Sequence, residues 1–428
     1  MKTKLSRRFV LALSLFGLTG QIAWVVENMY LNVFIYKMFS ASASDISLMV
    51  SASAISAAIT TVLIGALSDK VGKRKVFICL GYILWGVSIF SFVLLREDMI
   101  SALFPSIASA SSLCISLTIA LDCLMTFFGS SANDAAFNAW LTDSADDSNR
   151  GAAEGINAMM PLVAILAVFG GFMAFDLDRA SSWTWIFAII GALMLVVGAL
   201  GFFIIEDKCE KSETSYVKNI VYGFLPSTVK SNLSFYFFLF AFIIFNISIQ
   251  IFMPYLIIYY EVSLAMSNYV FIMAPAIIIA SVVTALWGNF YDKRGFGISV
   301  TFSILWLSLG YVLLFFFRSS ALVFIGSLLM MCGYLSGMAV FGAKIRNLTP
   351  YGKAGMLQGV RIFSQVLIPG IIGPFIGKCV LANAEIVVNN DGTTSFIPNE
   401  SIFLAALAFS VALALVLGAS AIIKKKSK

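Results

Sequence analysis

Apolar stretches of about 20 residues follow one another from end to end of this chain, each long enough to cross roughly 30 Å of hydrocarbon. Lipid offers backbone N–H and C=O groups no partners, so a stretch that spans a bilayer must be helical throughout. Twelve such helices are predicted, near 9–36, 45–68, 76–95, 114–141, 152–175, 184–205, 233–259, 267–289, 298–317, 321–345, 355–379 and 401–423. Hydrophobic residues make up 60% and charged residues 12% of the chain, a balance no soluble class shares. The predicted fold class is an all-α membrane protein. The first stretch is too long for a cleaved signal, carries Glu27 and Asn28, and has no small-residue cleavage site before the next helix.

Lys and Arg set the orientation. An even number of helices puts both ends on one side, and those ends hold Lys2, Lys4, Arg7, Arg8, Lys424, Lys425, Lys426 and Lys428. Arg150, the 206–232 segment and the 344–353 loop fall on the same side, against Lys37, Arg96, Arg179, Arg318 and Lys378 on or beside the other. Both termini are therefore expected in the cytoplasm of a multi-pass protein of the cell membrane. The net charge of +6 then reflects topology, and no nucleic-acid partner is needed to explain it.

Several chemistries drop out. The chain has no histidine, which removes histidine–zinc sites and histidine proton relays. There is no C-x-x-C pair and no G-x-x-x-x-G-K-[ST] loop to cradle ATP. No cofactor or metal is expected, and no catalytic constellation points to an enzyme.

The chain then repeats itself. GALSDKVG (Gly65, Asp69 and Gly72) follows the second apolar stretch, and GNFYDKRG (Gly288, Asp292 and Gly295) follows the eighth; both read G-x-x-x-D-K-x-G. Arg150 opens RGAAEGI at the fifth stretch and Ala354 opens AGMLQGV at the eleventh, both containing G-x-x-[EQ]-G-[IV]. Two matches in the same order indicate a duplicated bundle, an architecture common among secondary transporters. The predicted organisation is an amino-terminal six-helix bundle over 1–205, a cytoplasmic linker over 206–232 and a carboxy-terminal bundle over 233–428. Residues 380–400 form the most polar loop on the other side, with a hairpin-like turn signal at Asp391-Gly392.

GALSDKVGKRK (Gly65 to Lys75) resembles the loop signature of the major facilitator superfamily, and the copy at Gly288 stands where that superfamily places it. The resemblance implies two six-helix bundles, a central substrate cavity and alternating access. It also implies that Gly65, Asp69, Gly72, Arg74, Arg150, Gly288, Asp292 and Gly295 belong to a conformational latch away from the substrate. More finely, Gly17 to Gln21, Met29 to Leu31 and Ala132 to Ala135 are similar to the glycoside–pentoside–hexuronide cation symporters and sucrose-type carriers. In that family an acid of the fourth helix contacts sugar and cation, and Asp134 is the matching position. The chain departs from the family at two points: 46–67 holds no acid, and Ile22 stands near the position of the first-helix sugar-binding acid.

Charge inside a membrane helix is costly and marks functional candidates. On an ideal helix Gln21, Trp24, Glu27, Asn28 and Asn32 fall within an arc of about 140°, which reads either as a polar seam between helices or as a cavity wall where Trp24 stacks on a sugar ring. Asp122 and Asp134 lie about 18 Å apart along the fourth helix and about 120° around it, so they are not expected to serve one ligand directly; Asp122 is expected at an outer gate or in a contact between helices. Thr126 and Asn133 share the Asp122 stripe, and Asn138 shares that of Asp134. Gln358, Arg361 and Gln365 form a narrow stripe in the eleventh helix whose counterpart in the first half is Asn157. Arg361 needs an anion, either a protein carboxylate (Asp134 first, Glu27 second) or an anionic substrate. Asn246 and Gln250 add a polar face on the seventh helix.

The leading expectation is a monomeric secondary transporter in the lipid bilayer. Its substrate is a small solute, a sugar or glycoside, and its coupling cation is a proton in preference to sodium. The competing readings are an exporter of an amphiphilic compound and a non-transporting receptor or scaffold. A missing G-x-x-x-G-P-x-x-G-G pattern in the fifth helix argues against efflux, and buried charges with paired motifs argue against a scaffold.

Overall fold

A computed structural model describes residues 5–107, 109–144, 150–207, 221–266, 268–350, 354–389 and 393–426. Within them lie eleven continuous apolar helices of membrane-spanning length. The longest, Val270–Phe316, is broken at Gly295, whose φ of 76° and ψ of 177° are non-helical, so it is two helices. The total is the twelve expected: α1 Arg7–Phe39, α2 Ala43–Val71, α3 Arg74–Leu94, α4 Ala110–Ser144, α5 Arg150–Phe172, α6 Ala180–Ile204, α7 Leu233–Ser263, α8 270–294, α9 296–316, α10 Ser320–Leu348, α11 354–380 and α12 Ser401–Lys426. The chain separates into two compact units, Met1–Tyr222 and Gly223–Lys428.

The repeated motif has a conformational reason for its last glycine. Gly72 ends α2 at φ 68° and donates its N–H to the Ser68 carbonyl at 3.0 Å, while Gly295 ends α8 at φ 76°. Among the described residues these are the only glycines at positive φ, where a Cβ would be strained. Elsewhere the helix starts use polar caps: Ser42 and Asp45 form a reciprocal capping box, and Ser6 and Ser109 each accept a backbone N–H.

Four helices depart from α geometry in their interiors or at their ends. π turns occur at Val26–Tyr30 in α1, Ser130–Phe137 in α4, Tyr259–Ser263 in α7 and Phe363–Leu367 in α11. Such turns cluster at functional sites, and each rotates the downstream side chains relative to an ideal helix.

Packing inside each unit depends on small residues, as expected where lipid removes the hydrophobic drive between helices. In the first unit α3 and α6 approach at Gly86 and Gly191: a Cβ on Gly86 would stand 2.8 Å from the Gly191 carbonyl oxygen. In the second, α9 and α10 close on Gly310 and Gly333, and α7 and α11 close on Gly373 and Gly377. Large exposed side chains such as Phe203, Leu286 and Leu415 mark the faces that meet lipid.

Two connections are more structured than plain loops. Pro226–Ser231, expected as linker, is a short helix with its proline in the first turn, where the missing N–H costs nothing. Residues 386–388 and 394–396 form an antiparallel ribbon, β1 and β2, with Ile386 opposite Phe396 and Val388 opposite Thr394. Its Asp391-Gly392 turn lies outside the described residues.

Candidate substrate and ion site

The first unit gathers its polar side chains where α1, α2 and α4 meet. Glu27, inside the π turn of α1, is only 6% exposed. Its Oε1 accepts the Ser53 hydroxyl of α2 at 2.8 Å and the Thr126 hydroxyl of α4 at 2.7 Å. Those two hydroxyls are themselves 2.7 Å apart. Asp122, one turn before Thr126 and 2% exposed, interacts with both Ser53 and Glu27. The second Glu27 oxygen and Asp122 Oδ1 are buried with no hydrogen-bond partner. Ser56 adds a further tie from α2 to the Cys123 carbonyl of α4 at 2.8 Å.

Asp134 lies in the π turn of α4, half-buried, and accepts the Ser130 hydroxyl at 3.0 Å. Glu27 also feels its charge. Next to it, Asn133 donates to the Tyr82 hydroxyl at 2.7 Å, which donates to the Phe16 carbonyl at 2.6 Å. Gly20 permits this chain, since a Cβ there would stand 2.3 Å from Asn133 Nδ2. Asn138 is exposed and donates to the Asp134 carbonyl at 3.2 Å.

The residues of the ideal-helix arc on α1 take different environments. Glu27 turns inward to α2 and α4, whereas Asn28 is exposed and donates to the Trp24 carbonyl at 2.8 Å. Asn32 is fully buried, and Gln21 is half-buried. Trp24 packs on Trp85 with ring centroids 4.9 Å apart, so one indole face is already covered. Asp122 is buried near Glu27.

In the second unit Asn246 is buried and spends its amide on the Phe242 carbonyl at 2.8 Å, within its own helix. Gln250 is half-buried against Gly373 of α11. Arg361 is half-buried just ahead of the π turn that holds Gln365. The Gln358 side chain lies outside the described residues. Asn157 of α5 sits against Gly17 of α1 in the first unit.

The motif residues form a separate network between α2, α3 and α4. Ser68 donates to the Gly65 carbonyl at 2.9 Å and accepts from Arg74 at 2.6 Å, and Arg74 Nε pairs with Asp143 of α4 at 3.0 Å. In the second copy Tyr291 stands at the place of Ser68 and lies near Asn347 of α10. Asp292 is exposed, Gly288 faces open space, and the side chains of Asp69 and Arg150 lie outside the described residues. Arg74 has 7% side-chain exposure and Asp143 31%. Asp143→Asn should lower the stability of the purified protein by about 1–3 kcal/mol, because it removes the charge from one partner of a buried guanidinium. An unchanged unfolding midpoint would remove this pair from the motif's support.

A cavity of the first unit, of about 210 Å³, lies between the ends of α1, α3 and α6, with Phe34, Phe92 and Trp183 as walls and Arg96 and Asp98 among its lining. The Arg96 guanidinium, bonded to Asp98 at 2.7 and 3.0 Å, holds the Asp98 carboxyl below the usual carboxylate range.

Sequence reasoning missed Ser53, Ser130 and Tyr82. The only signal for Ser53 was its place in the small-residue run Ser51-Ala52-Ser53-Ala54, which equally describes a helix packed through small side chains.

A family model described as the Major Facilitator Superfamily matches residues 9–374. Among solved structures the chain resembles the nucleoside transporter NupG with a TM-score of 0.72 at 12% identity, over 96% of this chain and 98% of that one. It resembles a D-xylose–proton symporter with a TM-score of 0.70 at 15% identity, over 96% of both chains. A bacterial homologue of the human lysosomal transporter Spinster, inward-facing and occupied, gives 0.69 at 15% identity, also over 96% of both. At these identities the likeness is one of fold. No curated protein sequence matches the chain.

Proposed function

The chain belongs to the Major Facilitator Superfamily, and from that premise we propose that it carries a small polyhydroxylated solute, a sugar or glycoside, by alternating access in symport with a proton. The transporter is a multi-pass membrane protein and not an enzyme. The observation that carries the coupling reading is the placement of Glu27 and Asp122. Both are buried in the first unit, and among the described residues neither makes an ion pair. An unpaired acid in a membrane helix is expensive unless protonation is part of its work.

Support for the substrate class comes from the site and from the likenesses. Asp134 is half-buried beside Ser130, and Gln21, Trp24, Asn28 and Asn138 offer an indole and amides to hydroxyl groups. The likeness of Gly17–Gln21 and Ala132–Ala135 to the glycoside–pentoside–hexuronide carriers points the same way. The solutes named for two structural relatives, a nucleoside and D-xylose, both carry a sugar ring. In this reading Asp134 meets the solute while Glu27 and Asp122 handle the proton, the chain works as a monomer in the cell membrane, and both termini are cytoplasmic.

Purified protein in liposomes, offered labelled sugars, glycosides, nucleosides and uronates under an imposed pH gradient, tests the proposal. Uptake of one sugar-bearing class, driven by outside acid and indifferent to sodium, is the expected result. Uptake that follows sodium and ignores pH would overturn proton coupling. Uptake of a uronate alone would make Arg361 the substrate's counter-ion, and no uptake from any panel would return the scaffold reading.

A further inference from the structure

The π turn that carries Asp134 is held from outside its own helix. Five of its eight residues, Ser130 to Phe137, are serine or alanine, so its own side chains offer little to fix it. Its backbone bonds reach five residues back, as from the Asn138 N–H to the Asn133 carbonyl, a geometry rare outside functional sites. The outside tie is Asn133. Asn28, Asn32, Asn138 and Asn246 each donate to a carbonyl four residues back in their own helices. Asn133, 3% exposed, instead donates across to the Tyr82 hydroxyl of α3 at 2.7 Å. Tyr82 is fully buried and gives its one hydroxyl hydrogen to the Phe16 carbonyl of α1 at 2.6 Å.

The three helices are cleared of bulk where this chain closes. A Cβ on Gly20 of α1 would stand 2.5 Å from the Tyr82 hydroxyl oxygen. A Cβ on Gly81 of α3 would stand 2.5 Å from the Cβ of Ala132. Gly81 with Ala132 and Tyr82 with Asn133 are therefore consecutive contacts between α3 and α4, and together they fix the height and the rotation of the turn. Asp134 is the next residue. Neighbouring residues of a helix do not share a face, so fixing Asn133 toward α1 and α3 turns Asp134 to another face of α4. There it is half-buried and accepts the Ser130 hydroxyl at 3.0 Å.

We infer that Tyr82 and Asn133 are positioning residues for Asp134: their hydrogen bond sets the rotation of the π turn and with it the direction of the Asp134 carboxyl. The inference rests on the carrier reading above only in taking Asp134 as the residue that meets the solute. Gly20 and Gly81 then serve the site by admitting this bond, although neither reaches the solute.

Tyr82→Phe keeps the ring that packs against Phe16, with centroids 4.7 Å apart, and removes only the hydroxyl. In liposomes, with the labelled sugar that the unmodified protein takes up, it should raise the half-saturating concentration about tenfold and leave the maximal rate little changed. Asn133→Ala strands no buried amide and should do the same, which covers the case of a poorly folded Tyr82→Phe. In an Asp134→Asn background neither change should add to the rise, because the effect acts through Asp134. Additive losses, or a lowered unfolding midpoint with an unaltered half-saturating concentration, would make the pair a packing contact and overturn the inference. A second measurement needs no solute. Asp134→Cys puts a thiol in the turn, and adding Tyr82→Phe should speed its reaction with a small water-soluble thiol reagent several-fold, while Cys123, earlier in the same helix, keeps its rate. An unchanged rate at position 134, or equal acceleration at Cys123, would also overturn the inference. A turn that responds in this way in a protein that moves no solute would sink the carrier and spare the positioning; uptake by a protein whose turn does not respond would sink the positioning and spare the carrier.

Discussion

Glu27→Gln is expected to abolish concentrative uptake while leaving solute exchange at a rate comparable to the unmodified protein. The argument starts from hydrogens. The glutamine amide has nearly the shape of the acid and can donate to Ser53 or Thr126, so it satisfies the cluster permanently in the way a protonated carboxyl does transiently. The helices then have no reason to separate and the solute path stays lined. What is lost is the release of the proton, and with it the link between proton flow and solute flow. A gradient of one pH unit is worth about 1.4 kcal/mol and supports roughly tenfold accumulation for one proton per solute; the variant should settle near onefold. Counterflow and net uptake in the same liposomes separate the two activities. A variant that still accumulates solute would move coupling to Asp134 or to the second unit.

The largest effect on stability is expected at Gly333. It is buried where α10 crosses α9, and a Cβ there would stand 2.4 Å from the Leu307 backbone nitrogen, 2.6 Å from its Cβ and 2.7 Å from its Cα. Two of these three atoms are backbone, inside a helix whose hydrogen bonds have no substitute in lipid, so they cannot yield as a side chain would. Gly333→Leu must push the helices apart and should cost at least about 3 kcal/mol. Gly342 in the same helix has nothing within 4 Å of its would-be Cβ. Gly342→Ala should be neutral or stabilise by about 0.5–1 kcal/mol, because alanine gives up less backbone freedom. Unfolding midpoints of the two purified variants supply the check. Similar losses in both would show that helix propensity, and not the α9–α10 contact, governs these positions.

Much of the fold was legible because its constraint is local. A bilayer demands a continuous helix of fixed minimum length, so apolar runs report spans almost directly, and the predicted ends fall within a few residues of the observed ones. The repeated G-x-x-x-D-K-x-G was legible for a related reason: its last glycine is held at positive φ in both copies, a requirement of the backbone at that one position. The kink at Gly295 divides a continuous 47-residue helix at the place the motif marks.

The candidate site was only partly legible, and the residues show why. Buried charge announced Glu27, Asp122 and Asp134, since any acid in a membrane helix must be explained. Their grouping could not be read by projecting an ideal helix. Glu27, in the π turn at Val26–Tyr30, is buried and Asn28 is exposed, a division the arc of about 140° did not assign. Ser53 carries no charge and resembles every other small residue of α2; it matters because packing brings it 2.8 Å from Glu27, 26 residues away. Sequence by itself determined the helices, their number, the duplication and the acids, because lipid enforces these one segment at a time. Tertiary structure alone decided which acid meets which hydroxyl, because that depends on how α1, α2 and α4 cross, and the crossing is set by steric fit between side chains far apart in the chain.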